Sequence, residues 1–299
     1  MRLAQCLFGW ILEGGFFQLR QPVAERIEQR EIAVNGRVED RVGEVVSALL
    51  ADRAQPGAYA LSNGIEGVAV LILGIETATE RVSVAVGGHE GVIGLFEMTM
   101  GRRHAETLTP AIEFTCRQAG IELAEIGVIA VDVGPGLFTG MRVGLASAKA
   151  LALALRVPMI GISSLDLLAF PNRHTDRVVV PVIDARKGEV FYAMYRQVPG
   201  GVQQVADPAV GPVEELVADL LARSQEVLLV GDGALRYRDE ILDGYHCEIG
   251  GDPHPSAGPL VRLAHARALR EEWVNPREIE PIYLRAPDAR INWSTRAAR

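Results

Sequence analysis

The sequence predicts an α/β chain of two lobes, and three observations carry that prediction. Short β-branched apolar runs alternate with helical patterns from residue 68 onward. A Gly-rich turn at 134–140 joins one such run to an Ala/Leu-rich stretch that ends near Leu155. A strand, an acid-bearing turn and a hairpin occur twice, at 68–86 and again at 177–195.

The 299 residues, 48% of them apolar, are enough for a substantial two-lobed core. A net charge of −8 argues against a protein that grips nucleic acid by itself, although a local basic patch is compatible with it. Cys6, Cys116 and Cys247 are widely separated and form no CxxC pair. That sparse, odd count fits a reducing compartment and gives no zinc site. No uninterrupted apolar run reaches the roughly 18 residues of a membrane span. The composition predicts a soluble, cytoplasmic protein with no membrane partner.

Residues 1–67 differ in texture from the rest. The apolar middle of 7–12 lacks the basic flank and cleavage site of a signal peptide. A helix is expected at 38–50, and 54–67 reads as linker. The segment is expected to be a poorly ordered extension or a start assigned too far upstream.

Three strands follow, at 68–75, 81–86 and 91–98, with Gly87-Gly88 as the second turn. A helix is expected over 107–119, then a strand at 126–133 and the glycine turn. Gly134, Gly136, Gly140 and Gly144 allow close backbone approach, and Thr139 is the expected N-cap of a helix over 141–155. Such a turn can aim N–H groups at an anion. Glycines that simply let strand and helix pack are the commoner case, and the sequence favours that reading. The next strand is 157–162, and the order βββαβα opens a ribonuclease-H-like unit.

The second unit begins with a helix at 163–169 and a strand at 177–183 that ends in Asp184-Ala-Arg186-Lys-Gly188. Its partner strand is 189–195, followed by a helix at 212–223, a strand at 226–231, a turn at 232–234 and a helix over 255–273. Leu260, Val261, Ala264 and Ala268 share one face of that last helix, and Arg267 weakens the stripe. The repeat predicts the duplicated architecture of actin, sugar kinases and heat-shock ATPases. The lobes are expected at 68–168, completed by about 278–299, and at 169–277.

The segment Gly134-Pro-Gly-Leu-Phe-Thr-Gly-Met-Arg-Val-Gly144 resembles the signature of the TsaB (YeaZ) family. Four further segments agree in order: 72–79, 103–108, 183–190 and 280–285. The resemblance covers about 70–290. It implies a non-catalytic subunit that supports threonylcarbamoylation of adenosine at position 37 of tRNAs reading codons that begin with A. The implied partners are the transferase TsaD in a heterodimer, the ATPase TsaE, and tRNA indirectly through the complex. A homodimer is implied when TsaD is absent.

Two rival readings come from other classes. The chain also resembles TsaD in part, but TsaD holds a metal through two histidines one turn apart. The matching positions here are Ser164 and Leu168, and leucine cannot coordinate a metal. The glycine-rich turn of TsaD's second lobe is replaced by 184–188. A small-molecule phosphotransferase would need a metal-holding acid and a bare phosphate turn, yet Ala78 stands where the glycine would be. The six histidines form no HxxxH pair, and His104 is expected to cap or pair rather than catalyse. No catalytic residue, metal or resident cofactor is therefore assigned. The candidates for a vestigial, weak nucleotide site are Glu76, Thr77, Thr79, Gly134, Gly136, Thr139 and Gly140. Ala111, Cys116 and Ala148 on the first-lobe helices are the candidates for a partner interface.

Overall fold

A computed structural model of the chain describes residues 70–285, apart from 100, 102 and 224. The extension expected at 1–67, its helix at 38–50, Arg102, and 286–299 lie outside the described residues.

The first sheet contains β1 (Leu71–Glu76), β2 (Arg81–Gly88), β3 (Gly91–Thr99), β4 (Ile126–Asp132) and β5 (Met159–Ile162). Their spatial order is β3-β2-β1-β4-β5. The two hairpins are antiparallel, while β4 runs parallel to both β1 and β5. Crossover helices α1 (His104–Ala119) and α2 (Phe138–Leu155) supply the length that parallel neighbours need. The second sheet contains β6 (Val178–Arg186), β7 (Glu189–Val198), β8 (Gly201–Pro212), β9 (Val227–Val230) and β10 (Glu248–Ile249). Its order is β10-β9-β6-β7-β8, with the same sequence of antiparallel and parallel pairs. One topology is thus used twice, which gives two mixed sheets in a two-lobed actin-like fold. Helix α3 (Ser164–Ala169) joins the halves, and α4 (Val213–Arg223), α5 (Asp232–Arg236), α6 (Arg238–Gly244) and α7 (Ala257–Ala268) follow.

Alternation along the strands decides which residues enter which layer. In β6, Val178, Val180 and Val182 join Leu216 and Leu220 of α4, whereas Val179 and Ile183 join Leu165 and Leu168 of α3. In the first sheet, Ile72, Val128 and Ala130 pack under Leu260, Val261 and Ala264 of α7. The other face carries α1 and α2, which lie against β2 and β4. Ser163 and Ser256 cap α3 and α7 by accepting the N–H groups of Leu165 and Gly258 at 3.2 Å each. Such caps contribute about 1 kcal/mol apiece.

Several sequence expectations are corrected here. Thr139 is not the N-cap of α2: Leu137 holds that position without a side-chain bond, and Thr139 lies exposed in the first turn. Helix α1 starts at His104, three residues before the expected start. Residues 232–234 form the start of α5 instead of a turn, and β8 was not foreseen at all. Its sequence is polar because it is the edge strand of its sheet, held by pairing with β7. Helix α7, expected in the second lobe, packs on β1, β2, β3 and β5 of the first sheet. After it the chain stays there: Met159 and Val274 exchange backbone hydrogen bonds, and Ile282 N–H donates to Val133 O at 2.7 Å. Arg267, the residue that spoiled the stripe, donates to Gly161 O at 2.9 Å at that sheet's edge. Helix α2 is long and apolar enough to cross a bilayer, but Met141, Leu145, Ala148, Leu151 and Ala152 are buried in the core.

If α7 is structural to the first lobe, Leu260→Ala should lower unfolding free energy by about 2–5 kcal/mol, the range for a buried leucine. Arg262→Ala on its exposed face should stay within about 0.5 kcal/mol. Urea unfolding measures both.

Candidate functional site

The carboxyl ends of β1 and β4 meet where ligands commonly bind in open α/β sheets. The register aligns Ile75 with Val131, so Glu76 and Asp132, the next residues, end neighbouring parallel strands side by side. Both are buried in the core. Glu76 Oε1 accepts the Ala78 N–H at 2.7 Å. Asp132 Oδ1 accepts the Gly134 N–H and the Ser164 hydroxyl, each at 2.7 Å. The outer oxygens, Glu76 Oε2 and Asp132 Oδ2, are buried without a hydrogen-bond partner.

Burial pushes Asp132 up to about 7, against the lowering effect of the Ser164 and Gly134 hydrogen bonds. Burial also pushes Glu76 well above the carboxylate range, and the neighbouring Asp132 charge adds to it. Two adjacent buried carboxylates disfavour full ionisation.

The turn after β1 presses directly on the start of α2. Leu137 N–H donates to Ala78 O at 2.7 Å, and Thr77 hydroxyl donates to Gly140 O at 2.8 Å. A Cβ on Gly136 would lie 2.2 Å from Ala78 O, and one on Gly140 would lie 2.3 Å from Thr77 O. At Gly144 it would lie 2.2 Å from Thr77 Oγ1. Thr79 is buried, and its carbonyl accepts from His104 Nε2 at 2.6 Å, so His104 fastens α1 to this turn. Of the seven nucleotide candidates, Glu76, Thr77, Thr79, Gly134, Gly136 and Gly140 converge here, and Thr139 points away to solvent. The Gly134 and Leu137 N–H groups are spent on Asp132 and Ala78. Those two donors are therefore not free for an anion.

The matching turn of the second lobe carries Asp184 and Arg186. Arg186 and Lys187 both adopt positive φ, at 65° and 58°. Arg186 bonds Asp184 at 3.0 Å and reaches across to Glu80 of the first lobe at 2.7 Å. The Arg186 hydrogen bond holds Glu80 below its ordinary value. Arg236 and Tyr237 also reach Asp184, at 3.4 and 3.3 Å. A phosphate placed here would have to displace Glu80 and would face Asp184. The Glu80–Arg186 pair is half exposed and contributes at most about 1 kcal/mol.

A metal held as in TsaD does not fit either. Ser164 gives its hydroxyl to Asp132, and Leu168 is packed in the core.

The partner-interface candidates are also corrected. Ala111, Cys116 and Ala148 are buried in the core of this chain, because small residues at those helix positions let α1 and α2 sit close to the sheet. The large apolar side chains exposed on these helices are Phe114 (46%), Phe138 (49%) and Leu153 (48%). Arg142 of α2 lies 3.7 Å over the Phe138 ring, and its Nε donates to the Tyr283 hydroxyl at 2.9 Å. Sequence reading missed this stack and the Glu76–Asp132 pair. The available signal for the pair was an acid ending each of two apolar strands.

A family model described as TsaD, tRNA N6-adenosine threonylcarbamoyltransferase, matches residues 89–234. The chain is 32% identical over 218 residues to the tRNA threonylcarbamoyladenosine biosynthesis protein TsaB of Escherichia coli strain K12, covering 72% of this chain and 94% of that protein. It is 27% identical over 226 residues to the protein of the same name from Bacillus subtilis strain 168, covering 74% and 97%. Among solved structures, YeaZ from Pseudomonas aeruginosa is similar at a TM-score of 0.64 and 28% identity, covering 72% of this chain and 100% of that one.

The close approach of turn and helix is testable. Gly136→Ala should cost about 1–3 kcal/mol, because its Cβ meets a backbone oxygen. Gly127→Ala, whose Cβ would meet only ordinary contacts from 3.4 Å outward, should stay within about 0.5 kcal/mol. Thermal or urea unfolding of the two variants makes the comparison.

Proposed function

This chain belongs to the TsaB family, and from that premise we propose that it is a non-catalytic partner subunit in threonylcarbamoyladenosine formation on tRNA. In this reading it pairs with a TsaD-type transferase, supports modification of adenosine 37 in tRNAs reading codons that begin with A, and meets tRNA only through the complex. A TsaE-type ATPase joins the pair. Without the transferase the chain pairs with a second copy of itself.

The observation that carries the reading is identity along nearly the whole of a named TsaB protein. The geometry supports it in two ways. Polar groups at the strand ends are turned inward on one another, which suits a structural role better than turnover of a substrate. The rival transferase reading, raised by the TsaD-type match over 89–234, needs a metal at positions held by Ser164 and Leu168. Those side chains serve the fold instead.

The proposed pairing surface is the outer side of α1 and α2, where Phe114 and Leu153 are exposed. Large exposed apolar residues on adjacent helices suit burial by a matching helix pair. Phe114→Asp and Leu153→Asp should each keep the melting temperature of the monomer fold. Each should weaken binding to the TsaD homologue by about 30-fold or more, as loss of a buried anchor does. Size-exclusion chromatography with titration calorimetry reads the effect. Unchanged affinity in both folded variants would remove this face from the proposal.

A further inference from the structure

The geometry points to a single shared proton between Glu76 Oε2 and Asp132 Oδ2, forming an acid–carboxylate pair that clamps three turns of the first lobe together. Two oxygens in the junction, Glu76 Oε2 and Asp132 Oδ2, are buried without a hydrogen-bond partner. Each carboxylate uses one oxygen fully and leaves the other buried without a donor. An unpaired buried acceptor is expensive, and two adjacent buried negative charges are more so. A proton on one carboxyl group supplies the missing donor and removes one charge at once.

The clamp has defined ends. Glu76 holds the Ala78 N–H, and Ala78 O in turn takes the Leu137 N–H at the start of α2. Asp132 holds Gly134 in the glycine turn and Ser164 at the start of α3. The β1 turn, the glycine turn and the first residues of α3 therefore share one junction. Loss of the proton would place repulsion at the centre of that junction and loosen the base of α2, which carries Phe138 and Arg142.

Other charged groups face this junction from neighbouring elements. Arg81 of β2 favours ionised Glu76, and Asp166 of α3 opposes ionisation of Asp132. His104 of α1 is bonded to Thr79 O, Glu80 is held by Arg186, and Arg142 of α2 is engaged by Tyr283. Arg81 is shared with Glu97 and Asp252, so it does not neutralise the pair alone.

The sign of the pH effect follows from linkage. Burial raises the last proton of the pair above the ordinary carboxylate range, so the contribution of that one proton to stability is complete below about pH 4. It is lost as pH rises toward 7 and beyond. Glu76→Gln and Asp132→Asn keep the accepting oxygen and carry a permanent N–H donor toward the other carboxylate. The test is the unfolding equilibrium of the full chain and both variants in urea between about pH 5 and about pH 8. The wild-type folded-to-unfolded ratio should fall relative to each variant by up to about tenfold per pH unit over the lower part of that range. Infrared spectra at about pH 6 should show a buried carboxylic-acid carbonyl band that either substitution removes.

Amide exchange at Ala78, Gly134 and Leu137 should also rise with pH more steeply in the wild type than in Glu76→Gln. A constant difference between wild type and variants, together with no acid band, would overturn the shared proton. So would a rise in wild-type stability with millimolar magnesium or calcium that both variants lose, since the pair would then be a cation site.

Discussion

The first lobe depends on one contact, the approach of the β1 turn onto the start of α2 at van der Waals limits. Thr77 and Ala78 lie so close to Gly136, Gly140 and Gly144 that a Cβ at any of the three would meet an oxygen within 2.3 Å. The glycine pattern is explained by this packing without a ligand. Two of the backbone donors in the glycine turn, Gly134 and Leu137, are taken by Asp132 and Ala78. Beside this turn, the parallel register of β1 and β4 sets Glu76 and Asp132 at the ends of neighbouring strands, both buried.

Much of the fold was legible because strand alternation and helix spacing report burial directly. The faces of β6 divide between two cores as period two requires, and the stripe Leu260, Val261, Ala264 and Ala268 is buried as read. The failures have physical causes. Strand β8 draws its stability from pairing with β7, and edge strands need no apolar run. Helix α7 follows the second lobe in sequence but returns to the first sheet, and a periodic pattern does not say which sheet it covers. Small residues such as Ala111, Cys116 and Ala148 on the first-lobe helices permit close approach, which the sequence reading takes as a partner surface. They permit it equally to the chain's own sheet, which is where the structure places them.

The grouping of the candidate residues at the strand ends was legible in the sequence, but their hydrogen bonding was not. Six of the seven candidate residues lie together, and their polar atoms bond within the fold, Thr77 to Gly140, Glu76 to Ala78, Thr79 to His104 and Gly134 to Asp132. In the second lobe, Arg186 bridges Asp184 and Glu80 where a phosphate turn would need bare backbone. That arrangement joins the two lobes by a half-exposed ion pair.

The most direct measurement of this account is mass spectrometry of tRNA nucleosides from cells depleted of the protein and then supplied again with it. The account predicts that threonylcarbamoyladenosine falls on depletion and returns with the wild-type chain. It also predicts return with Glu76→Gln, whose hydrogen-bonded junction is kept, and no return with Phe114→Asp. Unchanged threonylcarbamoyladenosine on depletion would contradict the role in tRNA modification. Full restoration by Phe114→Asp alongside loss with Glu76→Gln would place the function in the buried junction and not on the helix surface.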